Sequence, residues 1–210
     1  MSQKELVSIA TKLKKVSIIM GKSMRSTEKR PGNRSTAFAI DRRKIPQPME
    51  IWDLYTREGE PTGRTMVRGD RIPAEHYHLV VHFWLQNAAG EYLVQKRADH
   101  VAMNPGIWAT TGGSAVSGED SRTTVIREVE EEIGWSVPEP DELCLLQRYV
   151  IHQSIVDVWL LEKEVPLSAF EPGEEVAAVA YHSEAQIRQK LVEKRFWNYG
   201  EPYFRWIFDR

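Results

Sequence analysis

The chain has 210 residues, of which 41% are hydrophobic and 28% charged, and its formal net charge is −2 at pH 7. These values are typical of a soluble globular domain and exclude collagen-like, low-complexity and wholly disordered chains. The single cysteine, Cys144, excludes an internal disulfide and a cysteine-based zinc site, and no apolar run reaches the roughly 18–20 residues that a membrane-spanning helix needs. We expect a cytoplasmic protein, because a reducing compartment suits one unpaired cysteine.

The charge is divided unevenly along the chain. Residues 1–48 hold 12 Lys and Arg against 3 Asp and Glu, a formal charge of +9, which leaves −11 for residues 49–210. This division predicts a basic, poorly ordered N-terminal extension on an acidic domain. A transit peptide and an arm for nucleic acid or anionic lipid are the alternatives for the extension, and either Met1 or Met49 could begin the natural chain. Because the domain is acidic, we do not expect nucleic acid as its partner.

The acidic domain, residues 49–210, is rich in short strands. Hydrophobic patterning predicts strands at 52–55, 79–86, 92–96, 107–110, 143–153, 154–161 and 176–181. Turn residues predict loops at 58–63 and 87–90, and a third loop that is flanked by the Gly112-Gly113 pair and Gly118. Helical spacing predicts a helix at 121–133 that ends at Gly134, and a second one from a Ser183 cap to Lys194. The predicted class is therefore α/β or α+β with a mixed sheet.

Three glutamates of the first predicted helix share one side. Glu128, Glu131 and Glu132 stand at positions i, i+3 and i+4, within about 100° of one another around the axis. Carboxylates this close repel one another and raise one another's pKa, a conflict that a bound divalent cation removes. Oxygen ligands favour Mg²⁺, with Mn²⁺ as an alternative. Taken alone, however, three glutamates more often form a solvated acidic face.

The residues around these glutamates favour the metal interpretation. Five residues separate Gly113 from Glu119, seven more lead to Arg127, and the run Glu-Val-Glu-Glu-Glu-Ile-Gly-Trp follows at 128–135. This spacing resembles the Nudix box, Gly-x5-Glu-x7-Arg-Glu-U-x-Glu-Glu-x-Gly-U with U apolar, at every fixed position. The resemblance implies a Nudix domain over residues 49–210, folded as an α/β/α sandwich. It also implies an enzyme that hydrolyses a small-molecule substrate, a nucleoside diphosphate linked to another group X.

The resemblance also implies roles for the residues of the box. Glu128, Glu131 and Glu132 would hold Mg²⁺ or Mn²⁺, and all three are expected to be catalytic. Glu119 would support this site or bind an additional ion. Arg127 would orient a box carboxylate through charge-assisted hydrogen bonds.

Two functional residues are expected outside the box. The family often places its general base in a loop before a late strand, and Glu175 stands at the Glu position of a segment that resembles the family's Glu-Val-x-x-Val-x-aromatic pattern. Glu174 and Glu171 are the alternatives for this base. Arg97, at the end of a predicted strand, is expected to bind substrate phosphate, because a guanidinium group forms paired hydrogen bonds with phosphate oxygens.

Three segments, at 52–55, 78–84 and 95–108, resemble a Nudix subgroup similar to isopentenyl-diphosphate isomerase. That enzyme relies on a Cys and a His shortly after its Pro-Gly-x-Trp segment, and here Gly113 and Ala115 occupy those places. Cys144 lies beyond the box helix and does not replace the missing thiol. We therefore expect a hydrolase rather than an isomerase. A non-catalytic ligand-sensing domain is the remaining alternative, and the intact set of carboxylates argues against it.

Histidines and aromatic residues raise further alternatives. His76, His78 and His82 share one face if their strand extends that far, and they are interpreted as structural or pocket-lining residues, with a metal site as the alternative. The aromatic segment 196–208 predicts a packed lid over the sheet or a dimer surface, with a base-stacking platform as the alternative. The identity of the substrate is not predicted. Whether the chain forms a homodimer, which is common in the superfamily, is also left open.

Overall fold

The structure is a computed structural model that describes residues 49–210. The basic extension predicted at residues 1–48 lies outside the described residues. The strands and helices, in chain order, are β1 (Ile51–Tyr55), β2 (Pro61–Val67), β3 (His78–Gln86), β4 (Tyr92–Arg97), β5 (Trp108–Ala109), β6 (Thr111–Ser114), α1 (Ser121–Ile133), β7 (Cys144–Ile151), β8 (Ser154–Glu162), β9 (Val176–His182), α2 (Glu184–Val192) and α3 (Glu201–Phe208). None of the helices within residues 49–210 is long and apolar enough to cross a membrane.

A mixed seven-stranded sheet forms the centre of the domain. Five strands lie in the order β5-β4-β3-β8-β7, while β6 pairs with β3 and β9 pairs with β4. Strands β3 and β8 are parallel from the pair His78↔Ser154 to the pair Gln86↔Glu162. The other pairings in the sheet are antiparallel. Strands β1 and β2 form a separate antiparallel hairpin.

Helix α1 covers one face of the sheet. The Asp120 carboxylate caps its first turn by accepting a hydrogen bond from the Thr123 N–H at 2.7 Å. Val125, Val129 and Ile133 recur every four residues, are fully buried, and pack in one cluster with the sheet residues Val81, Phe83, Leu85, Leu93, Trp159 and Leu161. This apolar stripe fixes the rotation of the helix, so that its glutamates lie beside β6 and not over the core.

Helices α2 and α3 cover the opposite face. Ile187 of α2 and Tyr203, Phe204 and Ile207 of α3 are buried against a second cluster of sheet residues, which includes Trp84, Tyr92, Val94, Val156, Val158 and Leu160. The predicted α/β/α sandwich with a mixed sheet is thus confirmed. The aromatic C-terminal segment forms a helical lid packed on the sheet.

One loop prediction was wrong in its bounds. Pro61, Thr62 and Gly63, predicted as part of a turn, begin β2, whose mostly exposed residues lack the alternation that identifies a half-buried strand. Strand β6, which contains Gly112 and Gly113 and pairs with β3, was not predicted, and the loop between these glycines and Gly118 follows it. A Cβ at Gly112 would collide with the Val81 carbonyl oxygen, so glycine permits the close pairing of the two strands.

Candidate functional site

The loop before β9 is attached to the C-terminal end of α1. The Glu171 N–H donates to the Ile133 carbonyl and the Gly173 N–H to the Glu132 carbonyl, both at 2.9 Å. These bonds satisfy two carbonyls that a helix end leaves unpaired. Gly134 ends the helix at φ 62°, and a Cβ there would collide with the Glu171 backbone. The glutamates of this loop are therefore held beside those of the helix.

Arg127 connects three of the expected carboxylates. Its Nη1 donates to Glu128 and to Glu131, both at 2.9 Å, and its Nε donates to Glu119 at 2.8 Å. Its Nη2 donates to Glu119 and to the Ser114 carbonyl, both at 3.0 Å. One guanidinium group thus fixes three carboxylates relative to β6 and offsets part of their mutual repulsion.

Glu119 is bonded mainly to this arginine. Burial acts to raise its pKa, but hydrogen bonds from Arg127, the Val116 N–H and the Thr124 hydroxyl outweigh burial and lower the pKa overall. Both of its oxygens accept from Arg127, and Glu119 does not line the pocket that contains the other box carboxylates. Its position suits an indirect role, through Arg127, better than direct contact with an ion.

Glu132 and Glu128 are the two most enclosed carboxylates of the site. Burial raises the pKa of Glu132 to about 8; hydrogen bonds from the Gly112 N–H (3.0 Å) and Gln95 Nε2 (2.7 Å) act against that rise, and the charge of Glu128 adds to it. Burial also raises the pKa of Glu128, and Arg127 opposes that rise. A Cβ at Gly113 would collide with the Glu128 carboxyl, so glycine is what permits this approach to β6.

These side chains line one cavity of about 390 Å³, here named the carboxylate pocket. Its acidic lining residues are Glu50, Glu128, Glu131, Glu132, Glu174 and Glu175, and its arginines are Arg68, Arg97 and Arg127. Glu131 is the most open of the box carboxylates, with 60% of its side chain exposed. Glu171, one of the three expected bases, does not line the cavity, whereas Glu174 and Glu175 do.

The donor set of the carboxylate pocket fits a divalent cation of the Mg²⁺ type. Carboxylate oxygens are the ligands such ions prefer, and an ion would relieve the unfavourable burial of Glu128 and Glu132. Within residues 49–210, no group of three or more His, Cys, Asp or Glu side chains already has the geometry of a metal site. Arg127 holds Glu128 and Glu131, so binding would require these carboxylates to turn toward the ion.

Arg97 lies where two cavities meet. Its Nε donates to the Met103 carbonyl at 2.9 Å, which leaves the two terminal nitrogens of the guanidinium group for a ligand. Arg97, Gly112 and Trp197 line both the carboxylate pocket and a second cavity of about 480 Å³, here named the aromatic pocket. This second cavity is also lined by His82, Gln95, Tyr149, His152, Asn198 and Tyr199.

The three expected strand histidines do not form a cluster. His76 is half-buried outside β3 and lies 3.3 Å from an Arg64 nitrogen. His78 stacks on Trp52 with ring centroids 4.2 Å apart, and His82 lies in the aromatic pocket. Sequence reasoning missed Gln95, which begins the polar end of the predicted strand and is followed by Lys96 and Arg97.

Comparison with known proteins agrees with this geometry. A model of the NUDIX domain family matches residues 76–207. The chain is 34% identical over 158 residues to lin0387 of Listeria innocua, described as an uncharacterized Nudix hydrolase, and the match covers 74% of this chain and 90% of that protein. The hairpin of β1 and β2 lies outside the matched NUDIX domain.

Two further comparisons bear on the subgroup and on the fold. The chain is 31% identical over 97 residues to isopentenyl-diphosphate Delta-isomerase of Escherichia coli, which covers 46% of this chain and 53% of the isomerase, so the expected subgroup is supported only weakly. The crystal structure of DR0079 from Deinococcus radiodurans covers 70% of this chain and 91% of its own with a TM-score of 0.58 at 18% identity, which supports the fold. The chain belongs to the Nudix family and is a Nudix hydrolase.

Proposed function

We propose that this Nudix hydrolase uses Mg²⁺, or Mn²⁺, to hydrolyse a diphosphate linkage in a small molecule of the nucleoside diphosphate-X type. The observation that carries the proposal is the carboxylate pocket, where the half-buried Glu128 and Glu132 share one cavity with Arg97. A diphosphate carries several negative charges. Carboxylates that hold a cation, with a guanidinium group nearby, therefore suit it better than either group alone.

The box residues have distinct roles in this proposal. Glu128, Glu131 and Glu132 would hold the ion, which when bound neutralises charge on phosphate oxygens and lowers the pKa of a water molecule. Arg127 orients Glu128 and Glu131 through its hydrogen bonds at 2.9 Å. Glu119 holds Arg127 in place through both of its oxygens.

The base that takes the proton of the attacking water is assigned to Glu175. Its carboxylate lines the carboxylate pocket, and its carbonyl accepts the Ala98 N–H at 2.8 Å, which fixes the backbone beside β4. Glu174 lines the same pocket and is the alternative. Glu171 is the weakest candidate, because its side chain does not line the cavity and its backbone N–H is bonded to the Ile133 carbonyl at the end of α1.

Arg97 is assigned to the substrate. The Met103 carbonyl holds its Nε, so the group is oriented before a ligand arrives. Because Arg97 borders both cavities, it can bind a phosphate in the carboxylate pocket while the attached group occupies the aromatic pocket.

The residues present argue against the isomerase alternative. Gly113 stands where the isomerase has its cysteine, and a side chain there would displace the Glu128 carboxyl from its present position. Cys144 is exposed at the start of β7 and lines neither the carboxylate nor the aromatic pocket. A cytoplasmic location, a homodimer and the absence of a nucleic-acid partner stay predictions from the sequence.

The test is a hydrolysis panel of nucleotide sugars, dinucleotides, nucleoside triphosphates and prenyl diphosphates, with Mg²⁺ or EDTA. Glu131→Gln and Glu132→Gln should each abolish turnover while the protein stays folded, because each replaces a carboxylate ligand by an amide. Glu130→Gln is the matched control, since Glu130 is exposed on the same helix outside the pocket. Turnover that survives in EDTA would refute the proposal, and silence of the folded protein across the panel would favour the sensing domain.

A further inference from the structure

The aromatic pocket contains a histidine whose proton position follows from its neighbours. The Trp84 Nε1–H donates to the Tyr203 hydroxyl oxygen at 2.8 Å, and the same hydroxyl lies 3.1 Å from His82 Nδ1. Indole nitrogen is a donor only, so the single hydroxyl proton of Tyr203 is free to point at the imidazole. Nδ1 then accepts, and a neutral His82 carries its proton on Nε2.

Burial favours this neutral ring. It lowers the pKa of His82 to about 4, so the imidazole is uncharged at neutral pH. Tyr203 is 2% exposed and Trp84 is fully buried, so both groups that fix the proton are themselves held by the core. The remaining nitrogen, Nε2, makes no hydrogen bond within the part of the chain that the structure describes. His82 lines the aromatic pocket and offers it a donor.

A second polar group of this pocket also lacks a partner. Gln95 is 2% exposed, and its Oε1 is buried without a hydrogen-bond partner among residues 49–210, while its Nε2 is used by Glu132. A buried acceptor left unpaired is unfavourable. The pocket thus combines an oriented donor with an unused acceptor.

Three aromatic side chains, Tyr149, Trp197 and Tyr199, line the cavity around these groups. Tyr199 lies 4.9 Å from the His82 ring, centroid to centroid, and stacks on Tyr203 at 4.6 Å with an interplanar angle of 27°. Trp197, which also borders the carboxylate pocket, stacks with Tyr199 at 6.3 Å. Flat aromatic surfaces bind planar unsaturated rings well.

We propose that His82 is a specificity-determining residue of this hydrolase, whose Nε2–H donates to a planar heteroaromatic ring, such as a nucleobase, bound in the aromatic pocket. Trp84 and Tyr203 are positioning residues, because they act through the imidazole. The inference rests on the proposed function, which places the diphosphate at Arg97 in the adjacent carboxylate pocket. A branched aliphatic group, as in a prenyl diphosphate, would leave the His82 donor and the Gln95 acceptor unpaired.

The test compares ligands that share a diphosphate and differ in the group attached to it. Binding of ADP, GDP, CDP, UDP, isopentenyl diphosphate and inorganic pyrophosphate to the full chain is measured by calorimetry with Mg²⁺. At least one nucleoside diphosphate should bind more tightly than pyrophosphate and isopentenyl diphosphate. His82→Phe should weaken it about tenfold, as expected for one lost hydrogen bond, and leave pyrophosphate unchanged. His100→Phe, at an exposed position outside both pockets, should change neither.

A second measurement does not depend on whether His82→Phe folds. Nitrogen-15 NMR of the histidine rings should show His82 protonated on Nε2 and unprotonated on Nδ1 in the wild type, and Tyr203→Phe should abolish that preference. The proposal is overturned if the proton is on Nδ1, if pyrophosphate binds as tightly as every nucleoside diphosphate, or if folded His82→Phe binds them unchanged. If metal-dependent hydrolysis persists alongside any of these results, only the role of His82 is refuted and the proposed function is retained. If nucleotide affinity depends on His82 but no substrate is turned over, the proposed hydrolysis is refuted and the role of His82 is retained.

Discussion

Replacing Glu132 by Gln should stabilise the metal-free protein while it abolishes turnover. The pKa of this carboxyl is about 8, against an ordinary value of 4.5. The folded chain therefore holds the proton more tightly than the unfolded chain, and this contribution to stability is lost as pH rises from 4.5 toward 8. At about 1.4 kcal/mol for each pKa unit, the upper limit at pH 7.5 is about 4 kcal/mol. Because the side chain is partly exposed, we expect Glu132→Gln to raise the free energy of unfolding by about 1–2 kcal/mol.

The geometry indicates that this substitution preserves the hydrogen bonds of the site. A glutamine at this position keeps a carbonyl oxygen that can accept from Gln95 and from the Gly112 N–H, the two donors that Glu132 now uses. Only the buried charge is removed. At pH 5 the carboxyl is protonated in the folded chain and about one quarter protonated in the unfolded one, so the gain in stability should fall to about a fifth of its value at pH 7.5.

The assay is urea unfolding in EDTA at pH 7.5 and at pH 5, with Glu130→Gln as the exposed control on the same helix. Glu132→Gln should unfold at higher urea than the wild type at pH 7.5, and the control should match the wild type at both values. Added Mg²⁺ should stabilise the wild type more than Glu132→Gln, because a charged carboxylate binds the ion more strongly than a neutral amide. If Glu132→Gln folds normally but is no more stable than the wild type at pH 7.5, the reasoning about its buried charge is wrong.

Three further predictions concern other parts of the site. Arg97→Ala should raise the KM for a diphosphate substrate about 10- to 100-fold in steady-state assays, with partial recovery in Arg97→Lys; an unchanged KM would remove Arg97 from the binding site. Glu175→Gln should lower kcat by about 10²–10⁴ and Glu171→Gln only slightly, and the reverse order in the same assay would reassign the base. Gly134→Ala should lower the free energy of unfolding by at least about 1–2 kcal/mol in urea, because an alanine is strained at φ 62° and meets the Glu171 backbone; wild-type stability would contradict that contact.

The box helix could be predicted well because its signals are local. Apolar residues recur along α1 with helical spacing, and the carboxylates follow the same period, so both faces could be identified from one stretch of sequence. The cap at Asp120 and the stop at Gly134 frame that stretch. The expected helix bounds, 121–133, agree with the structure for this reason.

The aromatic pocket and β6 depend on contacts between distant segments. His82, Gln95, Tyr149 and Trp197 come from four separate parts of the chain, and no local pattern brings them together. Glycine weakens a strand in general, so no strand was predicted at Gly112 and Gly113; the close approach of Glu128 to Gly113 is visible only in three dimensions. Helix α3 did have a local signal, since its buried residues are spaced as on one helix face. The aromatic content of the segment led to the prediction of a packed lid, and no helix was predicted there.

The decisive measurement for the carboxylate pocket is metal-dependent hydrolysis by the wild type and its carboxylate variants. Purified protein is incubated with diphosphate substrates in Mg²⁺ or EDTA, and released phosphate is measured for the wild type, Glu131→Gln and the control Glu130→Gln. If the box glutamates hold a catalytic ion, one substrate class should be turned over, EDTA and Glu131→Gln should each abolish this turnover, and Glu130→Gln should preserve it. Turnover by Glu131→Gln at the wild-type rate, or by the wild type in EDTA, would show that they do not.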